Sequence, residues 1–125
     1  MDGRELPYRV DKPWGHELWF AHTDSYAGKL LHVRAGERLS TQYHEAKEES
    51  SYLLSGRLLL SQGADADSLS VARLEPGAVW HNEPQLVHTI EALEDSVVVE
   101  VSTPELDDVV RLADNYGRVP DPVER

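Results

Sequence analysis

The stretch from Gly36 to Gly56, GERLSTQYHEAKEESSYLLSG, contains the residues that decide the fold of this chain. Gln42 and His44 are two residues apart, so on a β-strand both side chains point to the same face. Glu49 follows His44 by five residues, across a short polar link in which the chain can turn back. Further along, His88 follows turn signals of its own. These four side chains are therefore candidates for one common site.

Two imidazoles, a carboxylate and an amide oxygen form a ligand set that suits a divalent metal ion. The single negative charge of Glu49 leaves such an ion electrophilic, and its open positions can take water or substrate. Zinc, manganese, iron, nickel and cobalt all accept this mixed set, and geometry and availability choose among them. We therefore predict one divalent ion bound by Gln42, His44, Glu49 and His88. The alternative is that Gln42 and His44 are polar residues on a half-exposed strand.

Short apolar or alternating segments recur along the chain, with turn residues between them. Strands are predicted at 14–21, 27–34, 49–54, 69–74 and 96–102, among others. About eight or more such strands, with almost no helix, are typical of an all-β, double-sheet jelly-roll barrel. A chain of 125 residues is a single domain by size.

Both ends of the chain are predicted to differ from a core at about 12–103. Residues 1–11 are polar, which predicts an N-terminal arm. In the C-terminal segment 104–125, Pro104 ends the last core strand. Residues 107–114 begin with two acidic residues, which favours one or two helical turns because negative charge stabilises a helix N-terminus. We therefore expect a short helical element there.

The spacing around the four ligands resembles the two cupin motifs. The first motif runs from a glycine through His-x-His and a glutamate to a second glycine, and here Gln42 replaces its first histidine. More narrowly, the chain resembles the cupin domain of type II mannose-6-phosphate isomerases over about residues 11–118. The matching pieces are KPWGHE (12–17), LSTQYH (39–44), EV (100–101), DDVVR (107–111) and NYGR (115–118).

The resemblance implies a double-stranded β-helix fold and the aldose–ketose isomerisation of a sugar phosphate. In that reaction a metal stabilises developing negative charge and a base moves a proton between adjacent carbons. The chain departs from the group at residues 45–48, which read Glu-Ala-Lys-Glu instead of a His/Arg-rich run. It also has Ser50 and Ser51 where the group has His-Trp. The fold and metal site are therefore expected to carry over, but not the specific substrate.

Four further residues are candidates for the pocket around the metal. Lys29 faces inward if Leu31 faces the core, and would then neutralise developing charge; otherwise it is solvated. His81 is either an acid/base group or a hydrogen-bonded strand histidine. Ser51 shares the face of Glu49. Arg111, in the tail, either binds an anion or pairs with an acidic neighbour.

The composition limits the kinds of molecule that the protein is expected to bind. With 23 Asp and Glu against 12 Lys and Arg, the net charge of -11 disfavours nucleic acid and anionic membranes. It also disfavours a polyanionic ligand unless local basic residues override it. The chain has no cysteine, which fits a cytoplasmic location, and no apolar run near the ~18 residues of a membrane span. Segment 14–21 is rich in aromatic residues and either pairs with a neighbouring subunit or packs in the core. The first alternative leads us to expect a homodimer. We also expect a small molecule as the ligand.

Three functions agree with these features. The first is a metal-dependent isomerase or epimerase that acts on a sugar, sugar phosphate or similar polyol by proton transfer. The second is a metal-dependent (iron) dioxygenase. The third is a non-catalytic cupin that binds a sugar or other small ligand, because one fold serves many functions.

Overall fold

The computed structural model of the protein describes residues 5–105 and 107–118. Eleven β-strands form the regular structure of these residues. They are β1 (Tyr8–Lys12), β2 (Gly15–His22), β3 (Ala27–Val33), β4 (Thr41–Tyr43), β5 (Glu49–Ser55), β6 (Leu58–Gly63), β7 (Ser70–Leu74), β8 (Val79–Asn82), β9 (Val87–Ala92), β10 (Ser96–Ser102) and β11 (Val110–Ala113). No helix in the described part of the chain is long and apolar enough to cross a membrane.

The strands form two antiparallel sheets. The six-stranded sheet has the order β1-β2-β3-β10-β5-β8, and the five-stranded sheet has the order β11-β4-β9-β6-β7. Strands that are distant in sequence become neighbours, since β10 lies between β3 and β5. This connectivity confirms the predicted all-β, double-sheet jelly-roll fold.

The interior between the sheets is apolar at one end and polar at the other. On the six-stranded sheet, Leu31 and Leu53 both pair with Val98, and all three side chains are at most 3% exposed. Two residues further along, on the same inward face, Lys29 pairs with Glu100. Aliphatic side chains of the other sheet complete the core: Leu58, Leu60, Ile90 and Ala92. Burying one large aliphatic side chain contributes roughly 1.5–3 kcal/mol, so the apolar end can support a polar end that holds a site.

Part of the predicted N-terminal arm is a strand. β1 pairs with β2 along its whole length, from Tyr8 opposite Trp19 to Lys12 opposite Gly15. The rings of Tyr8 and Trp19 stack with their centroids 5.3 Å apart, and such cross-strand aromatic pairs stabilise a sheet edge. Residues 1–4 of the predicted arm lie outside the described residues.

The predicted C-terminal helix is wrong for the residues that the structure describes. β11 pairs with β4, and Arg111 lies opposite Gln42. The acidic residue Asp108 does not stabilise a helix start; its carboxylate instead accepts hydrogen bonds from the amides of residues 45–47. Pairing with a distant strand outweighs the local helical signal. Residues 106 and 119–125 of the predicted segment lie outside the described residues.

Gly56, in the turn between β5 and β6, occupies a backbone conformation that other residues rarely adopt, with φ +93°. An added Cβ would lie 2.6 Å from the Asp95 carbonyl oxygen and closer still to the Ser96 side chain. We expect Gly56→Ala to lower the free energy of unfolding by about 3 kcal/mol. Gly77 is the matched control, since its φ is +97° but nothing lies within 4 Å of an added Cβ. Gly77→Ala should lose only about 1 kcal/mol, and equal losses in chemical denaturation would contradict the steric explanation.

Candidate metal centre

Three side chains that are distant in sequence meet at the polar end of the barrel. His44 directly follows β4, Glu49 begins β5, and His88 lies on β9. β4 and β9 pair at Gln42 and His88, which brings the two motif stretches together. One potential ligand atom from each of His44, Glu49 and His88 lies within 4.8 Å of the other two. All three residues are buried, so they form a compact His/Glu/His cluster.

Backbone carbonyl groups set the orientation of both imidazoles. Nδ1 of His44 lies 2.6 Å from the carbonyl oxygen of Asp108, and Nδ1 of His88 lies 2.9 Å from that of Leu86. A carbonyl oxygen only accepts, so each Nδ1 carries a proton and donates it. Burial lowers the pKa of His88, which favours the neutral ring. In that tautomer Nε2 presents a lone pair, as a metal ligand does.

The atoms that converge in the cluster lack hydrogen-bond partners. Within the described residues, Nε2 of His44, Oε1 of Glu49 and Nε2 of His88 are buried and without a partner. A buried polar atom in this state costs roughly 1–3 kcal/mol. Nε2 of His44 lies 2.8 Å from Oε1 of Glu49, but these two atoms attract each other only if His44 carries a second proton. A cation among the three atoms satisfies all of them at once, so these residues fit a divalent metal.

The Glu49 carboxylate is ionised, as a metal ligand must be. Burial alone would raise its pKa, but a hydrogen bond that His44 donates when it carries a second proton, and the charge of Lys47, hold the pKa of Glu49 well below its usual range. Nζ of Lys47 lies 3.5 Å from Oε1 of Glu49.

Two adjacent chambers adjoin the cluster. The inner chamber, with a volume of about 70 Å³, is lined by Glu49, His88, Ser51, Trp80 and Asn82, among others. The second chamber, of about 90 Å³, is lined by His44, Lys12, Arg111 and Arg118, among others; we call it the basic chamber. Five polar residues line both chambers: Glu17, Lys29, Ser40, Gln42 and Lys47. A metal ion in the cluster is therefore within reach of a molecule in either chamber.

Gln42 lies on β4 between the two chambers. Its Oε1 accepts a hydrogen bond of 2.5 Å from the Ser40 hydroxyl. An amide oxygen has a second lone pair, so this contact is compatible with metal binding. The role of Gln42 as the fourth ligand stays a prediction.

Lys29 points inward and is held between two carboxylates. Its Nζ lies 3.2 Å from Oε2 of Glu17 and 3.6 Å from Oε2 of Glu100. Burial alone would lower the pKa of Lys29, but the charges of Glu100 and Glu17 outweigh it and raise the pKa. Lys29 is therefore a lasting positive charge beside both chambers. This suits it to stabilise developing negative charge and makes it a poor base.

The other predicted pocket residues take different positions. Ser51 lines the inner chamber and Arg111 lines the basic chamber. His81 lies on an exposed face of β8, where Nδ1 is 3.1 Å from the Ser50 hydroxyl and Nε2 is 2.9 Å from Oε2 of Glu48. It lines neither chamber. His81 thus occupies the position of a hydrogen-bonded strand histidine.

Three ionisable residues of the site, Glu17, Lys47 and Glu100, are not among those predicted from the sequence. A charged link such as 45–48 is expected to be solvated, yet Lys47 is only 5% exposed. The sequence does contain a signal that Lys47 faces inward, because Lys47 precedes the inward-facing Glu49 by two residues, which is the period of a strand. Glu100 likewise follows the buried Val98 by two residues.

Asp108 ties the link between β4 and β5 to the C-terminal part of the chain. Its carboxylate accepts hydrogen bonds of 2.7–2.9 Å from the backbone amides of Glu45, Ala46 and Lys47. Although burial opposes it, these three bonds lower the pKa of Asp108. The same residue orients His44 through its carbonyl oxygen. Asp108 thus holds in place the link that joins two of the candidate ligands.

We expect Asp108→Ala to weaken metal binding by about tenfold, because residues that position metal ligands contribute 10–100-fold to affinity. Asp107→Ala is the matched control, since Asp107 is exposed. Calorimetric titration with a divalent ion measures both affinities. Equal affinities for the two variants would show that the Asp108 carboxylate does not position the cluster.

The two sheets have the arrangement of a double-stranded β-helix, which is the fold of cupin domains, and the His/Glu/His cluster is a candidate metal centre within it. No protein-family model and no curated protein matches the sequence. Solved structures do match, and they share the fold.

Three of these structures illustrate the match. KdgF from Halomonas sp. is 23% identical with a TM-score of 0.67, and the match covers 78% of this chain and 86% of KdgF. An uncharacterized conserved protein with a double-stranded β-helix domain from Klebsiella pneumoniae is 17% identical with a TM-score of 0.66, and the match covers 90% of each chain. Oxalate decarboxylase from Bacillus subtilis is 15% identical with a TM-score of 0.74, over 95% of this chain but only 33% of that protein. The chain therefore has the cupin fold, and it spans about a third of the decarboxylase.

Proposed function

We propose that the protein is a metal-dependent isomerase or epimerase that acts on a small sugar-like or polyol-like metabolite by proton transfer. One observation carries the proposal: the partnerless ligand atoms of the His/Glu/His cluster adjoin a chamber that also contains a carboxylate and a buried lysine. The finer form of the proposal is a mannose-6-phosphate isomerase-like reaction, which rests on the resemblance of the sequence motifs.

A bound divalent ion would supply Lewis-acid stabilisation to adjacent carbonyl and hydroxyl oxygens of the substrate. Side chains of the protein supply the base and the positive charge that the reaction also needs. Glu17 is the carboxylate that lines both chambers, and we assign it as the base. Its oxygens accept hydrogen bonds from Trp19 Nε1 at 3.0 Å and Lys29 Nζ at 3.2 Å, which fix the carboxylate but leave further lone pairs.

In this reaction the carbon–hydrogen bond next to the substrate carbonyl breaks, and its proton moves to a carboxylate oxygen of Glu17. For isomerisation the same group returns a proton to the neighbouring carbon, while the proton of the substrate hydroxyl passes to the former carbonyl oxygen. For epimerisation the planar intermediate turns over, so that Glu17 returns a proton to the opposite face of the same carbon. Lys29 stabilises the negative charge that develops on the substrate oxygens in between. No net oxidation occurs, so no redox partner is needed.

A dioxygenase is the second candidate, and one observation favours it. Two histidines and one carboxylate with open positions are the ligand set typical of non-haem iron oxygenases. Oxygen consumption by iron-loaded protein, with iron as the ion retained on purification, would favour this function over proton transfer.

The test of the proposed function is hydrogen exchange with solvent. Protein loaded with zinc, manganese, nickel or cobalt is incubated in deuterated water with a panel of aldoses, ketoses and their phosphate esters. Deuterium next to the carbonyl, detected by NMR and abolished by a chelator, is the expected result. Absence of exchange with every ion and every compound would overturn the proposal.

A further inference from the structure

The lining of the basic chamber has the opposite sign of charge to the protein as a whole. The chain carries a net charge of -11. Yet among the described residues that line this chamber, five are cationic and one, Glu17, is a carboxylate. The cationic residues are Lys12, Lys29, Lys47, Arg111 and Arg118. A general negative surface potential does not produce such a cluster, and local basic residues can override the field that disfavours anions.

Three of these cations each lie against a carboxylate. Nε of Arg118 lies 2.7 Å from Oδ2 of Asp114, and a second guanidinium nitrogen lies 3.1 Å from Oδ1. Lys29 is held by Glu17, and Lys47 lies beside Glu49. These ion pairs fix the three side chains in the chamber wall, so that their charges stay in place when the chamber fills.

Lys12 and Arg111 have several like charges in their surroundings. Burial lowers the pKa of Lys12, whereas the charge of Glu17 opposes this effect. The positive charges of Lys29, Arg111 and Arg118 lower the pKa of Lys12 further. Burial also lowers the pKa of Arg111, as does the charge of Arg118, while Asp114 opposes them. Holding like charges together in a partly buried chamber is unfavourable, and an anion placed among them relieves the repulsion.

We infer that the basic chamber is an anion subsite, and that the substrate carries a phosphate or carboxylate group bound there by Lys12 and Arg111. The inference rests on the proposed function for what happens to the substrate, but anion binding itself requires no metal. Both groups suit the chamber, because a guanidinium binds phosphate or carboxylate in a bidentate manner and an ammonium adds a point charge. Glu17 and Lys29 line both chambers, so a small anion bound here places its neighbouring carbons beside the assigned base.

The test measures binding of inorganic phosphate and of acetate to metal-free protein by calorimetry. Metal-free protein is used so that an anion cannot bind to the ion. We expect Lys12→Gln and Arg111→Gln each to weaken binding about tenfold, the effect of losing one charge-assisted hydrogen bond. Arg73→Gln is the control, since Arg73 is an exposed cation on β7 that lines neither chamber. It should bind like the unmodified protein.

Each outcome decides for or against the subsite. Tighter binding of phosphate identifies a phosphate ester as the substrate class, and tighter binding of acetate identifies a carboxylate; either supports the subsite if the two variants are impaired. No binding, or equal binding by all variants, overturns it. The thermal midpoint reports whether a variant folds, and if Arg111→Gln does not, Lys12→Gln decides alone. Anion binding without solvent exchange would keep the subsite and reject the proposed reaction, so the two can fail separately.

Discussion

Replacing His44, Glu49 or His88 by alanine, one at a time, is expected to abolish stoichiometric metal binding. The unmodified protein, purified without chelator, should contain close to one divalent ion per chain by elemental mass spectrometry. Each substitution leaves only two of the three converging ligand atoms. We expect a loss of affinity of more than about 100-fold, because even residues that merely orient ligands contribute 10–100-fold.

His81→Ala is the matched control, since this histidine is exposed and lies outside the cluster. It should retain the full metal content. Bound metal should also stabilise the unmodified protein by about 2.7 kcal/mol when the free ion is at 100 times its dissociation constant. The three cluster variants should lack this stabilisation. Unmodified protein that stays empty after dialysis against each candidate ion would exclude the metal centre and with it both enzymatic functions.

The parts of this site that are local in sequence follow from strand periodicity. Glu49 and Ser51 alternate with exposed residues, so the inward face of β5 is predictable from the order of its residues. The same period predicts that Lys29 points inward beside Leu31. These residues depend only on the direction of successive side chains along one strand, and such predictions need no knowledge of which strand is the neighbour.

The rest depends on which strands pair. Glu100 reaches Lys29 because β10 lies beside β3 in a particular register, and nothing in the local sequence states that register. The C-terminal segment shows the same limit. Its acidic start favours a helix by local rules, but β4 offers it an open sheet edge, and Arg111 thereby comes to the basic chamber. A site formed by residues of several strands is therefore harder to predict than one formed by residues of a single strand.

Glu17→Gln is expected to slow solvent exchange into the substrate by about 10²–10⁴-fold, which is the usual contribution of a positioned acid or base. The amide has nearly the same shape and can still accept the hydrogen bond from Trp19. Lys29 still lies 3.6 Å from Glu100, but burial and the charge of Glu49 raise the pKa of Glu100 to about 8, so this partner is mostly ionised only above that pH. Metal content should change little, because Glu17 is not one of the cluster ligands. A loss of exchange by folded, metal-loaded protein therefore reports the proton transfer itself.

Trp19→Phe is the matched control for this substitution. It removes the hydrogen bond to Oε1 of Glu17 but leaves the carboxylate able to accept a proton. Its exchange rate should fall by much less, about tenfold for one lost hydrogen bond. NMR in deuterated water measures both variants under the same metal loading. If Glu17→Gln exchanges as fast as Trp19→Phe, the base is another group, and the assignment of Glu17 is rejected while the metal centre stands.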